Sequence, residues 1–158
     1  KTIHKTGNRT TFPSPNQIAW LLPVTILAHQ LEEYFGQFPQ WYSNLLNAQL
    51  SNWDFIVINS IGLSIFTVAS LSYFFNKNNF ILVALGTLVF VNGWTHLLLS
   101  LFTLSYSPGT FTGVVLFIPL GTVIYRKILP KLKSGEKIIA IALGILVLAM
   151  VSTIARNM

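Results

Sequence analysis

Apolar residues come in five blocks along this chain, at about 16–36, 53–75, 80–102, 110–129 and 138–155, with short polar connectors between them. Each block is near the ~20 residues that a helix needs to cross a bilayer's hydrocarbon core. A segment in lipid must satisfy its own backbone hydrogen bonds, so long apolar blocks dictate helices. The pattern predicts an all-α fold, a polytopic membrane bundle of about five transmembrane helices forming one domain over 16–158. Only 9% of the 158 residues are charged and 53% are hydrophobic, which excludes an ordinary soluble domain. The chain starts at Lys1, so a short preceding segment is expected. The first block is not expected to be a cleaved signal, because it carries His29, Glu32 and Glu33 and no small-residue cleavage site follows.

The net charge of +6 raises nucleic acid as a partner. The basic residues, however, sit in the connectors, as they do in cytoplasmic membrane loops, and nucleic acid is set aside. Residues 1–15 form a basic tail with Lys1, Lys5 and Arg9, and the turn at 76–79 adds Lys77. The connector before the last block holds Arg126, Lys127, Lys131, Lys133 and Lys137, leaving only Arg156 for the other side. This asymmetry predicts a cytoplasmic amino terminus and an external carboxyl terminus. Trp41, Tyr42 and Trp53 mark 37–52 as an interfacial loop or short surface helix. Pro23 is expected to kink the first span, Ser60 and Ser64 to give the second a close-packing face, and the aliphatic fifth span to face lipid. The absence of cysteine excludes disulfides and thiolate chemistry.

The first block is energetically anomalous. An acidic side chain at a membrane-helix centre costs roughly 2.5–3.5 kcal/mol on insertion scales. His29, Glu32 and Glu33 stand at i, i+3 and i+4 and so share a face, which must turn to the protein interior. At about 1.5 Å rise per residue they lie roughly 5–10 Å below the external end of the first span. Asn92 and His96, also i and i+4, lie roughly 9–15 Å below the external end of the third, and Asn59 roughly 9 Å below that of the second. Three spans thus bring polar groups to one layer. Two imidazoles with one or two carboxylates form a common ligand set for a divalent metal, zinc first and iron second. The expected metal ligands are His29, Glu32, Glu33 and His96, with the glutamates and Asn92 as catalytic groups. Asn59, Trp94, Tyr34 and Tyr106 are candidates to orient the substrate or a ligand. The plainer alternative is a hydrogen-bonded cluster joining the first span to the third.

The segments His29-Gln30-Leu31-Glu32-Glu33, Asn92-Gly93-Trp94-Thr95-His96 and Tyr106-Ser107-Pro108-Gly109 resemble, in order, the HxxEE, NxxxH and YxPG motifs of the HXXEE family of bacterial integral membrane proteins. The resemblance covers about residues 18–150. It implies a multi-pass protein of the bacterial inner membrane and singles out these residues, without supplying an activity. A looser likeness, through His29, Glu33, Asn92 and Trp94, is to membrane sterol isomerases of the EXPERA group, five-helix bundles that make and quench a carbocation.

Three functions follow as expectations. The first is a metal-dependent, hydrolase-type enzyme acting on a membrane lipid or other lipophilic molecule, with the non-ligating glutamate as general acid or base. The second is a metal-free acid–base isomerase or cyclase of an isoprenoid or sterol-like lipid. The third is a non-enzymatic lipid- or ion-binding or transport protein. Transport is the weakest, because the five unequal spans show no internal repeat.

Overall fold

The computed structural model describes residues 13–157; Lys1, His4, Lys5 and Arg9 of the basic tail lie outside them. The described residues are helical, with no strand among them. Helix α1, Pro15–Phe35, begins with Ser14 and Gln17 in a capping box and Pro15 in its first turn, and runs continuously across Pro23. The short α2, Phe38–Leu46, takes the place of the expected surface helix. Non-glycine residues in the left-handed region flank it, Gln37 at φ 57° and Asn47 at φ 52°. Helix α3, Asn52–Asn76, starts at a second capping box, Ser51 with Asp54. Helix α4, Asn79–Thr103, is capped by Asn78 and ends at Leu104 in the left-handed region.

The fourth block is not a plain α-helix. A single turn, α5 at Thr110–Thr112, passes into a π-helical stretch, Gly113–Phe117, and then into α6, Ile118–Lys127. In the wide turn the Ile118 N–H donates to the Gly113 carbonyl. Pro119, which has no N–H to give, follows directly. Such turns frequently occur at functional sites. A 3₁₀ turn, Leu129–Lys131, leads to α7, Ser134–Asn157, which starts inside the basic connector and ahead of the expected boundary.

Four segments among the described residues are long and apolar enough to cross a membrane: Asn52–Asn76, Asn79–Thr103, Thr110–Lys131 and Ser134–Asn157. Helix α1 has comparable length but lower hydropathy, because its second half carries His29, Gln30, Glu32 and Glu33. Its outward stripe is nonetheless apolar: Trp20, Val24, Leu27, Leu31 and Phe35 are exposed, whereas His29 and Glu33 are buried. Large exposed side chains such as Val68, Phe75 and Ile138 continue this apolar exterior around the molecule. A water-soluble monomer does not present such a surface.

Helix α4 is the centre of the bundle, in contact with α1, α3, α6 and α7. Its Leu82, Val83 and Val89 are fully buried in one core with Ile18 and Leu22 of α1, Phe117 of the π-helical stretch and Ile124 of α6. Glycines set two close approaches. Gly93 abuts Gly113, where an added Cβ would lie 2.8 Å from the Gly113 carbonyl oxygen. Gly144 of α7 rests on α4 so closely that a Cβ would lie 2.5 Å from the Ala84 carbonyl oxygen. Apart from such contacts α7 is largely exposed, as expected of a lipid-facing aliphatic helix. Ser60 and Ser64 do not pack: both are exposed, and Ser64 bonds back to the Ser60 carbonyl at 2.8 Å. The small residue buried in α3 is Ser70, one and a half turns further on.

A buried His–Glu–His centre

His29 and Glu33 project from the last turns of α1, and His96 from the last turns of α4. All three are buried, with exposures of 2%, 7% and 4%. One Glu33 carboxylate oxygen, Oε1, faces both rings: it lies 3.5 Å from His29 Nε2 and 3.3 Å from His96 Nε2. The rings stand edge to face with centroids 4.9 Å apart. One donor atom from each residue falls within 4.8 Å of the others, so the group can hold a metal ion. The remaining ring nitrogens are tied to hydroxyls. His29 Nδ1 lies 2.8 Å from Thr112 Oγ1, and His96 Nδ1 lies 3.1 Å from Ser107 Oγ. Asn92 brings its amide nitrogen to 3.1 Å from His29 Nε2. Phe117 lies against the His29 ring, and Phe38 of α2 covers His96, with centroids 4.3 and 5.7 Å apart.

The two glutamates part company. Glu32 turns away from the histidines to the turn between α4 and α5, where its carboxylate accepts from four donors. Oε1 takes the Tyr106 hydroxyl, the Gly109 N–H at 3.1 Å and the Phe111 N–H at 3.0 Å, and Oε2 takes the Thr112 N–H at 2.7 Å. The Tyr106 phenol is held above its ordinary range, by burial and then by its bond to Glu32. Gly109, at φ 99°, sits between the two imidazoles: a Cβ there would lie 2.7 Å from His29 Cε1 and 2.9 Å from His96 Cε1. The Tyr106–Gly109 segment is therefore a turn, as its Pro-Gly pair suggests, and also one wall of the centre.

Three other candidates lie elsewhere. Asn59 spends its side chain on the Phe55 carbonyl of its own helix at 2.9 Å, and its backbone carbonyl accepts from Gln30 at 3.1 Å. Trp94 is 41% exposed on the outer side of α4, beside Phe90. Tyr34 is exposed and lines a small polar recess with Gln37, Gln40 and Asn52. Sequence reasoning missed Ser107 and Thr112. Ser107 lay within a motif it had marked, and Thr112 three residues beyond that motif's glycine; an ordinary hydroxyl carries no signal of its own.

A family model described as "protein of unknown function with HXXEE motif" matches residues 20–124. No curated protein matches the chain, and no solved structure does.

Proposed function

Starting from a chain that belongs to the HXXEE family, we propose that it is a metal-dependent membrane enzyme, hydrolytic in type, acting on a lipophilic substrate. The observation that carries this is the spacing of the donors. Tetrahedral zinc with bonds of about 2.0–2.1 Å separates its ligand atoms by roughly 3.3–3.4 Å. The two Nε2–Oε1 separations are 3.5 and 3.3 Å, beyond the usual length of a direct hydrogen bond and near that value. Hydroxyl groups on both Nδ1 atoms supply the outer-shell contacts that fix the tautomer and ring orientation of metal-binding histidines. Two histidines and one glutamate leave a coordination position open, the arrangement of catalytic and not structural zinc sites. Zinc is the first choice and iron the second.

A bound divalent cation supplies Lewis acidity, polarising a substrate oxygen and lowering the pKa of water. His29, His96 and Glu33 would hold it, and Glu33 would also offset its charge at depth. Asn92, whose amide lies against His29 Nε2, would give up that contact when the nitrogen holds the metal and could then orient a substrate oxygen. Phe38 and Phe117 keep bulk water from the centre. Glu32 is committed to the turn, so no second glutamate is free as general base, and that role would fall to the Glu33 carboxylate oxygen that does not hold the metal or to a group on the substrate. A crevice of about 220 Å³ supports a lipophilic substrate: it runs along α1 and the π-helical stretch, lined by Leu21, Thr25, Val115, Leu116 and Leu120. Thr25, in its lining, stands one helical turn before His29 on α1. We place the protein in a bacterial inner membrane with five spans and the amino terminus cytoplasmic. The first of these spans is α1, whose polar groups are enclosed and whose outward stripe is apolar.

The test is metal analysis of protein purified without added metal. One equivalent of transition metal is expected, lost in the His29→Ala, His96→Ala double variant. No stoichiometric metal, or metal retained in the double variant, refutes the proposal. Activity on a lipid that persists without metal would favour the acid–base isomerase, with His29, Glu33 and Asn92 as its groups.

A further inference from the structure

We propose that Glu32 is a positioning residue, whose carboxylate holds the 106–112 turn against α1 and thereby sets the orientation of both His29 and His96. The inference rests on the metal-centre reading for its consequence, and on the hydrogen bonds alone for its geometry. The Gly109, Phe111 and Thr112 N–H groups stand at the start of a helical segment, where backbone donors have no partner in the preceding turn. Glu32 takes all three, at 3.1, 3.0 and 2.7 Å, together with the Tyr106 hydroxyl. Removing that carboxylate leaves two partly buried donors, the Gly109 and Thr112 N–H groups, without an acceptor, and the segment must move to expose or re-pair them.

Movement of this segment reaches both histidines at once. Ser107, just past the hydroxyl that Glu32 binds, contacts His96 Nδ1; Thr112, whose N–H Glu32 binds, contacts His29 Nδ1. Gly109 lies between the two rings. The same turn is wedged against the end of α1, where a Cβ on Gly36 would lie 2.7 Å from the Pro108 Cβ. The three motifs thus form one device. His29, Glu33 and His96 are the donors, the turn orients two of them, and Glu32 fixes the turn. Two adjacent glutamates point about 100° apart, one to either side of His29, and the elements packed on each side give them different partners.

The experiment has two arms, on full-length protein in detergent micelles. In the first, amide hydrogen exchange is followed in metal-stripped wild type, Glu32→Ala, Glu32→Gln and Tyr106→Phe. Exchange at Gly109, Phe111 and Thr112 is expected to speed up strongly in Glu32→Ala, and less in Glu32→Gln and Tyr106→Phe. Tyr106→Phe removes a single donor and keeps the test alive if Glu32→Ala fails to fold. In the second, zinc and cobalt(II) are titrated into the same proteins. Glu32→Ala is expected to bind about 10- to 100-fold more weakly, as when an outer-shell partner is lost. Its stoichiometry and saturated cobalt(II) spectrum should match wild type. Wild-type exchange in Glu32→Ala, or in Tyr106→Phe should Glu32→Ala not fold, overturns the inference. So does a changed cobalt(II) spectrum or lost stoichiometry, which would make Glu32 a ligand. Absence of metal in wild type would sink the metal centre, while the exchange arm still judges the turn.

Discussion

Gly109→Ala is the most demanding perturbation of the centre, since it adds one methyl group and no charge. That methyl carbon would lie 2.7 Å from His29 Cε1 and 2.9 and 3.0 Å from His96 Cε1 and Nδ1, closer than real contacts allow. Both rings or the whole turn must shift. The residue also holds φ at 99°, a conformation disfavoured for alanine. Such backbone strain costs about 1–3 kcal/mol, and overpacking a well-filled interior a further 1–3 kcal/mol or so. A total of about 2–6 kcal/mol follows if neither relaxes fully. The assay is denaturant or thermal unfolding in micelles, with zinc affinity measured on the folded fraction. Loss of at least about 2 kcal/mol is expected, together with weaker zinc binding. Gly62→Ala is the control: it lies within α3 with nothing near its added Cβ, and should be neutral or stabilised by up to about 1 kcal/mol. Wild-type stability and affinity in Gly109→Ala would refute the turn's close approach to the two rings. Equal destabilisation by Gly62→Ala would show that the effect is not specific to the site.

Three further expectations follow from the same geometry. Glu33→Gln should weaken zinc binding by more than the about 10–100-fold of an outer-shell change, and a milder effect than that of Glu32→Ala would contradict the assignment of ligand and positioning roles. The Tyr106 phenol is raised above its ordinary value by burial and by Glu32. Its contribution to stability is therefore complete below about pH 10, the unfolded value, and is lost as pH rises through the higher folded value. Stability curves of wild type and Tyr106→Phe should accordingly converge above about pH 10, and parallel curves would contradict the shift. Because the chain contains no cysteine, single cysteines report topology cleanly. An impermeant maleimide applied to intact cells should label Asn47→Cys and spare Lys133→Cys, and the reverse pattern would invert the orientation.

Much of the architecture was legible beforehand because bilayer-spanning helices are local objects. Capping residues Ser14, Ser51 and Asn78 stand where apolar blocks begin, and the helices start within a residue or two of the expected points. The exception is α7, which begins at Ser134 among residues read as loop, because Glu136 in its first turn accepts from the Lys133 N–H and starts the helix early. The π-helical turn at Gly113–Phe117 had no sequence signal beyond a glycine and the nearby Pro119. It arises where Gly93 and Gly113 let two backbones meet.

What the sequence determined by itself is the set of groups that must leave lipid and the layer they occupy. His29, Glu33, Asn92 and His96 do meet there, since spacing along a helix fixes depth to within a turn. Tertiary structure decided which way each group turns. Three residues beyond His29 and four residues beyond it are nearly equivalent positions on an isolated α1, one to either side of the histidine. Only the placement of α4 and the 106–112 turn around α1 separates them, giving Glu33 to the two imidazoles and Glu32 to the backbone of the turn. The same placement sends Asn59 and Trp94 away from the centre. It also brings in the hydroxyls of Ser107 and Thr112. Depth is a property of one helix; facing is a property of the pair.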